Sequence, residues 1–556
     1  MAAKTVNRRI RLLLAVLGLA FAGTLVRATW IQTVRAAPLS RMASSQHTAK
    51  ITIPAGRGTI YDRMGTRLAI GEQATTVYAD PREVTSPRAV ARAASRTLGV
   101  DPAQLYPQLT DRRHGFVYVA RQADTDRAAA LMKLKLPGVF AYQEERRWYP
   151  QALAAQVLGF AGVDNRGLAG LELSLDKELA GRPGSKTVVK DPAGQTIDVV
   201  SQKPERPGRD VRLVLDHTIQ GQAEQVLRDT VRRWGAKDGT AVVLDPRNGD
   251  VLAMAVGPTF DPNRFSRVTP TVQKNRAVTD TYEPGSTFKL MTVAGALSDG
   301  LVSPQTSFVL PYSIHVADRV IHDAEPRGTE TMTVAQILSR SSNVGAITLA
   351  KMLGPDRLAG WIERFGFGRP SGIDFPGESP GIVLPLSKWS GSTIGNVPIG
   401  QGIAVTPIQM AAAYAAVANH GVWVQPHLVD HVAGRPRPKL ERRRIVSRDV
   451  ADAVVEMLKG VVADGTGTLA AVSGYQVAGK TGTAAKPDAT GGYSTSKYVA
   501  SFVGLVPASR PRLVIMVAID EPKGQIFGGV VAAPAFQQIA QFDLQYLEVP
   551  PDGPKP

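Results

Sequence analysis

The 556 residues contain no cysteine. Disulfides, thiolate zinc sites, iron–sulfur clusters and cysteine nucleophiles are therefore excluded. Acid is missing from the start of the chain, where the first carboxylate is Asp62. Aromatic residues make up only 6%, and none interleaves the densest basic cluster, Glu441-Arg442-Arg443-Arg444. No nucleic-acid reader motif accompanies the net charge of +17, so nucleic acid is not the expected partner. A basic chain of this kind suits work beside anionic lipid or an anionic polymer. Only one long apolar run is present, and there is no internal repeat. With 44% apolar residues, 53 Gly and 39 Pro, the chain can bury full cores but needs many turns, which excludes one long helical bundle.

The apolar run follows a basic start. Residues 1–11 carry Lys4, Arg8, Arg9 and Arg11, and residues 12–34 hold one charge, Arg27. About 20 apolar residues cross a bilayer as a helix. Arg27 can snorkel to the interface, and Trp30 suits the interfacial belt. The positive-inside rule keeps residues 1–11 cytoplasmic and exports the chain beyond about residue 35. Ala20-Phe21-Ala22 also fits a signal-peptidase site. The run continues past that point, so an uncleaved single-pass anchor is expected. Ala15, Gly18 and Ala22 would allow another membrane helix to pack closely.

The exported part divides by composition. Residues 35–50 read as a linker. Residues 51–209 form a first, mixed α/β unit, with strands and hairpins from Ile51, helical stretches over 86–135, and a Pro/Gly-rich inter-domain hairpin or linker over 182–209. Residues 210–548 form a second unit: a strand, an amphipathic helix from about Thr218, and a hairpin around Asp245-Pro246-Arg247-Asn248-Gly249. Two further core strands and a closing helix complete it. Residues 549–556 read as a tail. The expected class is α+β, with a central antiparallel sheet flanked by helices.

Gly474-Tyr475-Gln476-Val477-Ala478-Gly479-Lys480-Thr481 has the spacing of a phosphate-binding loop. Such a loop must open a helix, whereas the residues after Thr481 cannot start one. The surrounding run reads as a strand. His427, Asp430 and His431 have metal-like spacing, but they too lie in a strand-like stretch and no further ligand completes a site.

Three other elements carry chemistry. In Tyr282-Glu283-Pro284-Gly285-Ser286-Thr287-Phe288-Lys289 a turn precedes a helix expected from Ser286 to Leu297. Spacing i, i+3 puts the Ser286 hydroxyl and the Lys289 amine on one face. A serine needs an adjacent base, and a lysine is one when burial or a second cation lowers its pKa. The bland alternative is a capping serine with a surface lysine. In Ser341-Ser342-Asn343, between two helical stretches, Ser341 could pass a proton to a leaving amine and Asn343 could hold a substrate amide; the alternative is a polar corner. On the strand with Lys480-Thr481-Gly482-Thr483, Lys480 supplies a second cation and the threonine hydroxyls could bind a substrate carboxylate. Gly482 permits close backbone approach, and the Ser286 and Thr483 N–H groups could form an oxyanion hole. The alternative is an ordinary hairpin edge. Together and in this order the three are highly specific.

With these motifs the chain resembles the class B penicillin-binding proteins, monofunctional peptidoglycan D,D-transpeptidases of the FtsI type. Arg57-Gly58-Thr59-Ile60-Tyr61-Asp62-Arg63-Met64-Gly65 is similar to the family's opening signature, with Met64 in place of the usual Asn. Arg147-Trp148-Tyr149-Pro150 and Gly167-Leu168-Ala169-Gly170-Leu171-Glu172 resemble its second and third, in a non-catalytic pedestal. Gly402-Ile403-Ala404-Val405-Thr406-Pro407-Ile408-Gln409 resembles its segment before a core helix. The resemblance implies Ser286 as nucleophile, Lys289 as base, and Ser341, Asn343, Lys480, Thr481, Gly482 and Thr483 as the remaining motif positions. It also implies acylation of Ser286 by a D-Ala-D-Ala stem peptide with release of D-Ala, no metal or organic cofactor, inhibition by β-lactams, and a membrane partner, a polytopic glycosyltransferase. Val77-Tyr78-Ala79-Asp80-Pro81 resembles the division branch, so septal wall synthesis with other division proteins is expected ahead of side-wall elongation. A β-lactamase or penicillin sensor is the neighbouring alternative, but the Glu-x-x-Leu-Asn segment of a class A hydrolase is missing. A catalytically silent wall-binding scaffold is the third reading, disfavoured by the intact Ser286, Lys289 and Lys480.

Overall fold

The computed structural model describes residues 2–35, 48–190, 196–488 and 491–553. Most of the linker expected over 35–50 lies outside the described residues. The chain forms two compact units, residues 1–56 with 181–207, and residues 57–180 with 208–556.

The first unit contains the helix Ala2–Thr33, whose apolar segment Val6–Thr33 reaches a mean hydropathy of 1.9 and has no buried residue in that apolar stretch. It also contains a three-stranded antiparallel sheet. Gly184–Lys190 runs between Thr48–Ile53 and Thr196–Lys203, so the expected 182–209 hairpin is present.

In the second unit, Arg67–Ala79 is the long strand of a six-stranded sheet. It pairs with Ile60–Tyr61, Val117–Ala123 and Val139–Trp148. The sheet continues through Val211–Leu213, parallel to Ile60–Tyr61, to Val429–Val432. Helices Pro87–Leu98, Pro102–Thr110 and Thr125–Met132 bury Val90, Ala94, Leu105, Leu109 and Leu131 with Val77, Ala79, Val117 and Val119. The strand Val117–Ala123 interrupts the helical stretch expected over 86–135. Its alternating Val117 and Val119 face the helices while Tyr118 is exposed, the period of two that a half-covered sheet requires.

The three signature segments converge here. Arg57 Nη2 lies 2.6 Å and Arg147 Nε 2.5 Å from the two oxygens of Glu172, with all three side chains at most 1% exposed. Arg57 also pairs with Asp176 at 2.7 Å. Arg147 Nη1 donates to Gly58 O and Arg57 Nη1 to Asn165 O. Residues 90 and more apart in sequence are thus tied by one buried carboxylate.

The second sheet has five antiparallel strands in the order Val251–Gly257, Asp238–Leu244, Leu513–Asp520, Tyr493–Val506, Ala478–Pro487. Strand alternation separates two cores. Ala241, Val243, Ile515 and Val517 pack with Ile219, Leu227, Phe536 and Ile539 of helices His217–Arg233 and Ala533–Tyr546. Val242, Leu244, Val514 and Met516 face the larger core, with Lys289–Ser298, Pro407–Ala418 and Arg448–Ala463. Pro407–Ala418 is buried at every position, which its Ala-rich sequence permits, and Thr406 and Gln409 close a capping box at its start.

The run resembling a phosphate-binding loop enters the edge strand Ala478–Pro487, not a helix. His427 and His431 each have a carboxylate of their own, Asp250 at 3.2 Å and Asp430 at 2.9 Å. The stretch read as a C-terminal tail is tied down as far as Asp552, which accepts from Gln476 N at 2.8 Å and Ser509 Oγ at 2.5 Å. Sequence composition gave no sign of these two partners.

Candidate active site

The Ser286 turn is tighter than the helix expected there. Gly285–Phe288 is a 3-10 turn, and the α-helix starts at Lys289. Gly285 has φ +57, a left-handed value that glycine adopts without cost. Thr287 Oγ1 donates back to Pro284 O at 2.8 Å, and the buried Tyr414 hydroxyl donates to Thr287 O at 2.8 Å. These contacts anchor the turn to the core helix Pro407–Ala418.

Lys289 is completely buried. Its Nζ donates to Asn343 Oδ1 at 2.7 Å, lies 3.2 Å from Ser341 Oγ, and also donates to Ser341 O. Burial pushes the amine down to about 7, against the opposing pull of the Asp323 carboxylate. Among the described residues no hydrogen bond joins Lys289 to Ser286, which is half-buried. The amine is held instead by the second motif.

The geometry of that motif is local. Val334–Ser339 is a short helix closed by two backbone bonds, Ser341 N to Leu338 O at 3.2 Å and Ser342 N to Ile337 O at 2.9 Å. This is a Schellman closure, whose left-handed position usually carries glycine. Here it carries Ser341, at φ +62. Ser342 then caps the next helix, Asn343–Phe365, accepting from Gly345 N at 2.9 Å. Asn343 Nδ2 donates to His322 O at 2.9 Å, so both ends of its amide are engaged within the protein.

Lys480 is also fully buried, and burial together with the neighbouring Lys289 holds its amine well below the usual lysine range. Its Nζ reaches Thr481 O at 3.2 Å and Thr481 Oγ1 at 3.4 Å. Thr481 Oγ1 shares a 2.7 Å hydrogen bond with Thr466, and Thr483 Oγ1 accepts from Gly528 N at 3.1 Å. Gly482 serves the protein's own packing: a Cβ there would meet Ser501 Oγ at 2.4 Å, Pro284 O at 2.9 Å and Thr287 Cγ2 at 3.0 Å. The close approach expected for substrate is made by the Ser286 turn itself. The three motifs, with Ser286 and Thr483 197 residues apart, therefore come together in one place.

The chain matches the family described as penicillin binding protein transpeptidase domain over residues 239–541 and the penicillin-binding protein dimerisation domain over residues 52–213. The chain belongs to the class B penicillin-binding protein transpeptidases. Among members of this family it is 33% identical to the peptidoglycan D,D-transpeptidase FtsI of Escherichia coli, over 99% of this chain and 94% of the relative. It is 36% identical to the penicillin-binding protein PbpB of Mycobacterium tuberculosis, over 94% and 82%. Stage V sporulation protein D of Bacillus subtilis is 33% identical over 98% and 87%. A crystal structure of penicillin binding protein 3 from Mycobacterium tuberculosis complexed with aztreonam superposes with TM-score 0.72 at 33% identity, covering 91% of this chain and 99% of that one.

Sequence reasoning named the residues of the three motifs but missed Asp323, Arg327, Thr466 and Gly528. None sits in a motif. Asp323 follows an exposed hairpin, Ser313–Val316 with Arg319–His322, and its neighbours Ala324-Glu325-Pro326 signal only a turn.

Proposed function

We propose that this class B transpeptidase cross-links peptidoglycan through Ser286, with Lys289 as base and Ser341 as proton carrier. The observation that carries the reading is the buried Lys289 amine, lowered to about 7 and hydrogen-bonded to the Ser341-Ser342-Asn343 motif. A protonated lysine donates three hydrogen bonds, and three acceptor atoms surround it. The neutral amine donates two, to Ser341 O and Asn343 Oδ1, and its lone pair is then free to accept a hydroxyl proton. Ser286 Oγ bonds to the carbonyl carbon of the penultimate D-Ala as its proton passes to Lys289. The C–N bond then breaks, and the proton reaches the departing D-Ala nitrogen by way of Ser341. In the second half an acceptor amine attacks the ester, its proton returns along the same path to Ser286 Oγ, and a new peptide bond is left. The Ser286 and Thr483 N–H groups stabilise the oxyanion in both halves. Asn343, Lys480, Thr481, Gly482 and Thr483 shape the site for the stem peptide, and Lys480 attracts its terminal carboxylate.

The proposed cellular setting is septal wall synthesis. FtsI among the relatives and the Val77-Tyr78-Ala79-Asp80-Pro81 segment support it. The proposed topology keeps residues 1–11 cytoplasmic, the helix in the membrane, and the pedestal (51–209) and transpeptidase (210–548) regions outside, beside a glycan-polymerising membrane partner. Two experiments test these readings. Fluorescent penicillin should label one peptide, and Ser286→Ala should abolish it; undiminished labelling of that variant defeats the assignment. Depletion should give filaments, and rounded cells that still divide would place the protein in elongation.

A further inference from the structure

One buried carboxylate outside the three motifs holds the second motif in place. Asp323 is 6% exposed. It accepts from Ser342 Oγ at 3.0 Å, Asn343 N at 2.5 Å and Val344 N at 3.0 Å. Arg327 Nη2 lies 2.6 Å from Asp323 Oδ2, the oxygen that Ser342 Oγ reaches, while the two N–H groups share Oδ1; the same guanidinium donates to Leu310 O and Pro311 O. Asp323 N donates to Tyr312 O at 3.1 Å, and the preceding carbonyl, His322 O, accepts from the Asn343 side chain. The 322–323 peptide thus grips the motif at its backbone and at the Asn343 amide, and is itself bolted to residues 310–312.

What it grips is a strained joint. A non-glycine residue in the left-handed region is strained by its Cβ and persists only where its surroundings over-determine it. Ser341 occupies that region directly before the Asp323-bound Ser342.

We propose that Asp323, held by Arg327, is a positioning residue for the acylation reaction: it fixes the Ser342–Asn343–Val344 backbone so that Ser341 O and Asn343 Oδ1 both meet Lys289 Nζ. The proposal rests on the reading of Lys289 as base. Its carboxylate also acts on the amine through space. Among the described residues the titratable groups facing Lys289 are Lys480 from the edge strand and Asp323 from the loop, with Arg327 behind Asp323; the His322 ring is turned toward Asp323 O at 2.7 Å. Asp323 favours the ammonium, so its removal lowers the pH at which Lys289 becomes a base.

The test is the rate of penicillin acylation of the full-length protein from pH 5 to 9, with thermal melting alongside. Asp323→Asn should cut the plateau rate roughly 10- to 100-fold, the worth of hydrogen bonds to a charged group. It should also move the acid limb to lower pH. A merely structural role would reduce the folded fraction and leave the limb where it is. Arg327→Gln should move the limb the opposite way, because the Asp323 charge is then less neutralised; this variant decides the matter if Asp323→Asn does not fold. An unchanged plateau, or a limb that stays put in a folded variant, overturns the proposal. Wild-type protein that takes no label at Ser286 overturns the underlying reading instead, which is distinguishable from a silent variant of a labelled wild type.

Discussion

Lys289 Nζ donates to Asn343 Oδ1 across 2.7 Å, with the lysine entirely out of solvent. An amine so placed carries its charge at a desolvation cost, which is why it titrates near 7. Acylation should therefore fall about tenfold per pH unit below that value and level off above it. Asn343→Asp sets a carboxylate against the amine, favours the ammonium and moves the acid limb upward, so the rate at pH 7 drops. Acylation kinetics over pH 5 to 9 check both statements, and a limb that does not move contradicts them.

Ser341→Gly should stabilise the protein while impairing it. Glycine accepts the left-handed conformation that Ser341 holds at φ +62, so the fold gains about 1 kcal/mol. The hydroxyl 3.2 Å from Lys289 is lost, and acylation slows by a proposed factor of about 100, the usual worth of a positioned proton carrier. A raised melting temperature with a lowered labelling rate is the expected pair of readings.

Glu172→Ala removes the carboxylate shared by Arg57 and Arg147 and leaves two buried guanidinium groups without it. Breaking a buried ion pair from one side costs about 3–5 kcal/mol. Urea unfolding should report a loss of that size. A loss below about 1 kcal/mol would mean that Asp176 and the neighbouring carbonyls already satisfy Arg57 and Arg147.

Gly482→Ala places a methyl 2.9 Å from Pro284 O, on the backbone of the turn that presents Ser286. Overpacking of this kind costs about 1–3 kcal/mol. Because the strained contact lies on the turn that carries Ser286, the labelling rate should fall by more than the melting temperature alone would imply. Equal labelling of variant and wild type would show that the turn can yield.

Sequence alone determined the features that depend on neighbours along the chain. The apolar span, the hairpin around Asp245-Pro246-Arg247-Asn248-Gly249, the edge strand carrying Lys480 and the Ser286-to-Lys289 spacing are set by local period and turn chemistry, and each was legible. The exact start of the helix after Ser286 was not, because the 3-10 turn depends on Tyr414 holding Thr287 O from 127 residues away. Tertiary structure also decided which groups lose water. Lys289 and Lys480 lose their water only when the sheet, the Ser341-Ser342-Asn343 corner and the core helices close over them; that burial lowers both amines, and the neighbouring Lys289 lowers Lys480 further. In the same way Asp323 and Thr466 carry no local signal, and the signature ending at Glu172 does not show which groups its carboxylate holds. Their roles come from partners brought near by the fold, and hydrogen bonding and desolvation act over ångströms of space without regard to separation in sequence.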